Sequence, residues 1–120
     1  MYMKHDRKQI ADRMLAHYNV PNKVVSKCFT DKTIEAFFNF DTGQIEVCEN
    51  RMRDVNHYKK TLLHEINHAI HAKNMSLKNF DRAYNEESNR LEQVGKDPYW
   101  DNRYEIVAER FAETELQYWT

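Results

Sequence analysis

The sequence predicts a single α+β domain, spanning residues 1–120, in which helices predominate and a small antiparallel sheet follows the first helix. The chain has only two Gly and two Pro among its 120 residues, and this shortage favours long elements with few tight turns. Several segments place apolar residues at helical spacing, whereas one segment concentrates β-branched and aromatic residues. A chain of this length buries roughly two-thirds of its surface, which is enough for one compact core.

The first helix is predicted over residues 6–18. Ile10, Met14 and Tyr18 lie on one side of that helix, as expected for an amphipathic element that packs on a core. Pro21 then interrupts the helical spacing.

The strand signal lies between the first and second helices. β-branched and aromatic residues cluster in three runs, residues 24–29, 34–40 and 45–48. Residues 41–44 separate the last two runs and have the composition of a hairpin turn, with Gly43 able to take a positive φ. We therefore predict three antiparallel strands.

Helical spacing returns over residues 55–73, where an apolar stripe indicates a buried face. Asp54 or Asn56 is suited to cap the start of this helix. Residues 76–97 space their apolar side chains loosely among many charges, which is typical of a mostly solvated helix.

The final helix is predicted over residues 101–118, with Asp101 as its cap. Tyr104, Ala108 and Phe111 fall on its core-facing side.

Charge and hydropathy exclude several classes of function. The chain has 18 Lys and Arg against 19 Asp and Glu, and proteins that hold nucleic acid through its phosphates need a basic excess. No run approaches the roughly 18 apolar residues of a membrane span, and residues 1–13 are charged where a signal peptide would be apolar. We therefore expect a cytoplasmic protein with neither a nucleic-acid nor a membrane partner.

The two cysteines, Cys28 and Cys48, do not form a CxxC pair. Because the cytoplasm is reducing, we expect them to be free thiols that pack as small apolar groups.

Residues 64–68 read His-Glu-Ile-Asn-His and match the H-E-x-x-H motif. Their apolar surroundings place them inside the second helix, where the i, i+4 spacing brings His64 and His68 to one face, about 6 Å apart. Two imidazoles at this separation can bind one metal ion. Glu65 then lies beside the metal, where it is suited to act as the general base on a metal-bound water molecule.

A catalytic zinc site usually has three protein ligands and one open position, so a third ligand is required. His71 lies on the same helical face as His64, but on the order of 10 Å along the axis, too far to share one ion. The metzincin pattern requires a third His where this chain has Asn74. The remaining histidines are expected to be surface or structural groups: His5, His17 and His57.

The final helix supplies carboxylate candidates for the third ligand. Glu105, Ala108, Glu109 and Ala112 share one face, and the two alanines allow another helix to approach closely. Glu105 is then placed to bind the metal, while Glu109, one turn later, accepts a hydrogen bond from the Nδ1 of a ligand histidine.

This combination resembles a known class of enzymes. An H-E-x-x-H helix followed by E-x-x-A-E-x-F-A at residues 105–112 is similar to gluzincin-type zinc metallopeptidases, and the later segment looks like the third-ligand segment of the CAAX-prenyl-protease type and of ImmA/IrrE metallopeptidases. The hairpin of residues 36–47 is similar to the one that leads into the metal-binding helix of small ImmA/IrrE domains. The resemblance covers roughly residues 34–116.

The resemblance implies a zincin-like minimal domain whose metal-binding helix and C-terminal helices hold Zn²⁺. Transferred position by position, it implies zinc on His64, His68 and Glu105. It implies that Glu65 is the catalytic base and that Glu109 accepts a hydrogen bond from one of the ligand histidines.

The function expected is therefore that of a zinc-dependent metalloendopeptidase, which hydrolyses peptide or protein substrates with a Glu-activated, zinc-bound water molecule. The small phage and mobile-element members of the family suggest a regulatory protein as the substrate. The alternative is a gluzincin-like module that binds metal or a protein partner without cleaving it, such as an antirepressor or an accessory phage protein. A third hypothesis is a helical domain whose motif is accidental and which binds no metal.

Two further elements of the site stay open in the sequence. A peptidase needs a donor to the oxyanion, and Tyr58, His71, Tyr99 and Tyr104 are all chemically able; of these, His71 and Tyr104 are also candidate cleft residues. The strand at residues 45–48, if it is an edge strand, could pair with the substrate backbone.

Overall fold

The computed structural model describes the backbone of residues 2–120 and the side chains of residues 7–120. Within this part of the chain it is an α+β fold of four helices and a three-stranded sheet. The elements in chain order are α1 (Tyr2–His17), β1 (Val24–Ser26), β2 (Ala36–Phe38), β3 (Ile45–Val47), α2 (Val55–Met75), α3 (Leu77–Gln93) and α4 (Arg103–Glu115), with short 3₁₀ turns at Glu49–Arg51 and Leu116–Tyr118.

Helix α1 confirms the first predicted helix and begins earlier than expected. Ile10 and Met14 are buried on its inner side. Its buried Arg7 donates hydrogen bonds from the guanidinium to the backbone carbonyls of Glu49 (2.9 Å) and Met52 (3.1 Å). These bonds hold α1 against the segment that leads into α2.

The sheet is mixed, so the prediction of three antiparallel strands is wrong. Its order is β1-β3-β2: β3 pairs antiparallel with β2 and parallel with β1. Each strand runs in the opposite direction to the strand before it in the chain. However, β3 lies between β1 and β2 and pairs with both. The three strands are also shorter than the sequence runs that predicted them.

Burial explains why β3 takes the central position. Ile45 and Val47 are 0% and 1% exposed, and Glu46 between them is also buried. A strand that is buried on both faces is best placed in the centre, where both of its edges are hydrogen-bonded. Backbone bonds from Ile45 to the carbonyl of Lys23 and from Lys27 to the carbonyl of Val47 extend the pairing beyond β1.

The turn between β2 and β3 follows the prediction at Gly43, which has a φ of 77°. The amide of Gly43 donates to the carbonyl of Asn39 at 2.7 Å. The Asn39 side-chain oxygen accepts from the amides of Asp41 and Thr42. Such Asn-mediated turns stabilise a tight reversal without a second glycine.

A disulfide joins Cys28 to Cys48, so the expectation of two free thiols is wrong. The two residues follow β1 and β3, which are neighbours in the sheet, and this adjacency brings the sulfur atoms together. The disulfide could not be predicted from the sequence patterns, because they did not predict the pairing of β1 with β3.

Helix α2 is the centre of the fold and contacts α1, α3, α4 and β2. It begins at the Asp54 cap, whose side chain accepts a hydrogen bond from the amide of His57 at 2.7 Å. Helix α3 exposes most of its surface, as expected, but buries Phe80 and Leu91 against the core. Helix α4 is capped by Asn102, in place of the predicted Asp101. None of the helices among the described residues has the length and apolar character needed to cross a membrane.

The disulfide should contribute measurably to stability. Closing a loop with a sequence separation of 20 stabilises the folded state by about 3 kcal/mol in the chain-entropy model. We expect a Cys28→Ser/Cys48→Ala variant to unfold in urea with a free energy lower by about that amount. Wild-type protein in dithiothreitol is the matched control and should unfold like the variant. Thiol titration of unreduced, denatured protein that finds two reactive thiols would contradict the pairing.

Candidate metal centre

Helix α2 fixes the spacing and the burial of the three motif residues. The central turns of α2 are enclosed by the core, so His68 is 3% exposed and Glu65 is 7% exposed. His64 lies one turn earlier, with its ring centroid 5.1 Å from that of His68. The two imidazoles therefore share one face of a well-packed helix.

Helix α4 carries the carboxylates to this face. Ala108 and Ala112 are both 0% exposed, and α4 packs on α2 more extensively than on any other described element. Because alanine has no side chain beyond Cβ, the two helices approach closely along this line. Glu105, one turn before Ala108, is thereby brought to the histidines of α2.

The three side chains meet at one point. Oε1 of Glu105 lies 2.7 Å from Nε2 of His64 and 3.1 Å from Nε2 of His68. One ligand atom from each of the three residues lies within 4.8 Å of the others. The cluster is thus compact enough for a single metal ion to contact all three.

The donor set fits a metal ion of the zinc type. Two imidazole nitrogens and one carboxylate oxygen form the His₂Glu set that catalytic zinc sites use. Zinc distances of about 2.0–2.2 Å to each ligand place the ligand atoms less than about 4.4 Å apart, close to the separations of this cluster. The residues could therefore bind a metal ion through His64, His68 and Glu105.

Glu109 lies behind His64, on the side away from Glu105. Its Oε1 is 3.2 Å from Nδ1 of His64, and its Oε2 is 3.2 Å from Nζ of Lys60. A carboxylate on Nδ1 fixes the orientation of the ring and leaves Nε2 directed at the metal position. Among the described residues, Nδ1 of His68 is buried and has no such partner.

Burial and hydrogen bonding together set the pKa values of His64 and Glu105. Burial alone would lower the pKa of His64, but the hydrogen bond to Glu105 and the nearby carboxylates raise it to about 9. Burial opposes the ionisation of Glu105, but the hydrogen bonds from His64 and His68 hold its pKa well below the usual range. Both ring nitrogens of His64 lie within hydrogen-bond distance of a carboxylate oxygen, and a metal ion at Nε2 would compete with a proton for that nitrogen.

Glu65 differs electrostatically from Glu105. Burial raises the pKa of Glu65, and the neighbouring His68 and His64 offset this only in part. A carboxyl group with a raised pKa accepts and returns a proton more readily near neutral pH than an ordinary glutamate. Glu65 and Glu105 thus have opposite pKa shifts, although both are buried beside the same two histidines.

Two tyrosines are linked to the cluster. Tyr84 was not predicted from the sequence, whereas Tyr99 was one of the four candidate donors to the oxyanion. The hydroxyl of Tyr84, on α3, donates to Oε2 of Glu105 at 2.5 Å. Tyr99 lies in the loop between α3 and α4; burial of its hydroxyl end and the charges of Glu105 and Glu65 raise its pKa. The one signal for Tyr84 was its i, i+4 spacing from Phe80, which places both side chains on the inner face of α3.

The other sequence candidates lie outside the cluster. The ring of His71 stacks on that of Phe80 and its Nδ1 donates to the carbonyl of Asn67 at 3.1 Å. Tyr104 is 8% exposed and accepts a hydrogen bond from Arg103. The hydroxyl of Tyr58 donates to the carbonyl of Arg7, and the ring of His57 contacts Glu35. His17 is exposed, and the side chain of His5 lies outside the described residues.

No protein-family model, curated protein or solved structure matches this chain. Function must therefore be inferred from the residues and their geometry.

Zinc should stabilise the folded chain through this cluster. We expect zinc at about 100 times its dissociation constant to add about 2.7 kcal/mol to the free energy of unfolding of chelator-treated protein, which raises Tm by roughly 10 °C. Glu105→Gln should abolish the increase, because it removes the anionic ligand while keeping the side-chain shape. Glu113→Gln, an exposed change on the same helix, is the matched control. Equal shifts in both variants would show that zinc binds elsewhere.

Proposed function

We propose that this protein is a zinc-dependent peptidase. The observation that carries the proposal is the convergence of His64, His68 and Glu105 at one point, with Glu65 next to His64 on the same helix. Structural zinc sites use four protein ligands, whereas catalytic sites use three and leave one position open. Three ligands with an adjacent buried carboxyl group favour the catalytic type.

Zinc bound at this cluster would supply Lewis acidity, polarising a peptide carbonyl and making a water molecule acidic near neutral pH. Glu65 takes the proton from the attacking water and passes it to the leaving amine as the peptide bond breaks. Its raised pKa suits both halves of this transfer. Glu109 keeps His64 oriented through Nδ1.

Tyr99 is the best-supported donor to the carbonyl oxygen of the substrate. Of the four residues that the sequence left open for this role, Tyr58 donates its hydroxyl to the carbonyl of Arg7, and His71 donates from Nδ1 to the carbonyl of Asn67. The hydroxyl of Tyr104 accepts from Arg103, and its side chain is 8% exposed. Tyr99 is 44% exposed in the loop that leads into the helix of Glu105, and burial and the charges of Glu105 and Glu65 raise its pKa.

The substrate backbone would pair with β2. The sequence suggested the strand at residues 45–48 for this role, but β3 is central and has no free edge. Glu35 and Asn39 flank β2, and their backbone groups bond to Cys48 and Gln44 beside β3. By alternation, the backbone groups of Ala36 and Phe38 face outward. The Phe38 ring lies 6.1 Å from that of His68, which sets this edge close to the cluster.

The proposed substrate is a peptide or protein, with a regulatory protein of a phage or mobile element as the proposed biological target. A cytoplasmic location is part of the same proposal. The disulfide between Cys28 and Cys48 is the observation against that location, because such bonds persist mainly in oxidising compartments.

The second candidate function is a module that binds metal and a protein partner without cleaving it. The observation that favours it is an exposed aromatic pair in the loop between α3 and α4. Trp100 is 75% exposed and Tyr99 is 44% exposed, and their ring centroids lie 5.1 Å apart. Exposed aromatic side chains are enriched where proteins bind one another.

Glu65→Gln separates the two functions. If the protein is a peptidase, this variant should keep one zinc per chain and lower cleavage of an unstructured peptide mixture by about 10²- to 10⁴-fold, measured as new amino termini by mass spectrometry. Glu113→Gln should cleave like the wild type. Zinc-loaded wild type that produces no new amino termini would favour the non-catalytic module.

Tyr99→Phe tests the proposed donor. Losing one donor to a developing oxyanion costs on the order of 10² in kcat, with KM and zinc content little changed. Tyr118→Phe, which removes a hydroxyl from a 70% exposed side chain, is the control. An unchanged kcat in Tyr99→Phe would remove Tyr99 from the mechanism.

A further inference from the structure

The two oxygens of Glu105 have different surroundings. Oε1 faces the two imidazoles, at 2.7 Å from His64 and 3.1 Å from His68. Oε2 points away from them and accepts the hydroxyl hydrogen bond of Tyr84. One carboxylate group thus presents a single oxygen to the metal position.

The hydroxyl of Tyr84 is held there by a packed scaffold. Its ring centroid lies 5.2 Å from that of Phe40, 6.2 Å from that of Phe80 and 6.3 Å from that of Tyr104. Phe40 follows β2, Phe80 is on α3 and Tyr104 is on α4. A side chain with two χ angles, enclosed in this way, has little freedom to leave Glu105.

Asn102 ties the tyrosine and the glutamate into one unit. Its side-chain oxygen caps α4 by accepting from the amide of Tyr104 at 2.9 Å. Its amide group donates to Ser88 Oγ at 3.0 Å and to the carbonyl of Tyr84 at 3.4 Å, both on α3. Asn102 is 0% exposed. Its hydrogen bonds hold α3 and the first turn of α4 in a fixed relative position, and therefore also hold Tyr84 close to Glu105.

We propose that Tyr84 is a positioning residue that holds Glu105 as a one-oxygen ligand, keeping Oε2 off the metal ion. This inference rests on the proposed metal centre. A carboxylate with two free oxygens can bind a metal through both, and the second oxygen then takes the position that a catalytic site leaves open. A hydrogen bond to Oε2 prevents this and fixes the orientation of Oε1.

Tyr84→Phe keeps the ring and removes the hydroxyl. Partners that orient metal ligands are worth about 10- to 100-fold in metal affinity, so we expect zinc binding, measured by competition with a chelator, to weaken by that factor. Tyr18→Phe is the matched control, because it removes another phenol-to-carboxylate hydrogen bond, Tyr18 to Glu115 at 2.6 Å, at the last residue of α4. Its zinc affinity should equal that of the wild type.

Cobalt(II) absorption distinguishes positioning from a general loss of structure. The wild type and Tyr18→Phe should give the intense visible bands of four-coordinate cobalt, whereas Tyr84→Phe should give the weaker bands of a higher coordination number as Oε2 binds. Tyr84→Phe that matches the wild type in both zinc affinity and cobalt spectrum overturns the proposal for Tyr84 alone. Wild type that binds neither metal overturns the metal centre, and this inference with it.

A crystal structure of the zinc-loaded wild type tests the proposal without a variant and applies even if Tyr84→Phe does not fold. It should contain one oxygen of Glu105 on zinc and the other on the hydroxyl of Tyr84. A Glu105 bound through both oxygens, or a Tyr84 hydroxyl bonded elsewhere, overturns the proposal.

Discussion

The packing of α4 against α2, with Ala108 and Ala112 fully buried on the helix face that carries Glu105, is the constraint on which the candidate metal centre depends. It brings a carboxylate from one helix and two imidazoles from another to a shared point, which neither helix can provide alone. A larger side chain at either alanine would separate the helices, and the oxygen of Glu105 would no longer reach His64. The same contact buries Glu105, so its charge must be compensated locally.

That compensation shapes the electrostatics of the metal-free chain. A buried carboxylate costs several kcal/mol unless it is paired and hydrogen-bonded. Glu105 is bonded to His64, His68 and Tyr84, which explains why its pKa is low although it is buried. Glu65 is adjacent to His64 in the sequence. Its pKa is raised because it is buried without the hydrogen bonds that Glu105 receives.

The parts of the structure that could be predicted from the sequence depend on spacing within one helix. The separation of His64 and His68, and the shared face of Glu105 and Ala108, follow from 3.6 residues per turn. The order of the strands could not be predicted in this way, because it depends on pairing between distant segments, and each strand has only three residues. The disulfide follows from that order.

Tyr84 was missed for a related reason. Its helix is mostly exposed, so the loose spacing of its apolar residues predicted a solvated element. The i, i+4 spacing of Tyr84 from Phe80 indicates a shared face but not the residue that the hydroxyl contacts. Its relation to Glu105 is set by Asn102, a buried polar cap between α3 and α4, and no local pattern marks such a contact between elements.

We propose that His64, His68 and Glu105 hold one metal ion. Elemental analysis of purified protein, dialysed free of loosely bound metal, tests this directly. We expect about one zinc per chain in the wild type and none in Glu105→Ala or His68→Ala. Equal zinc in the wild type and these variants, or none in the wild type, would contradict it.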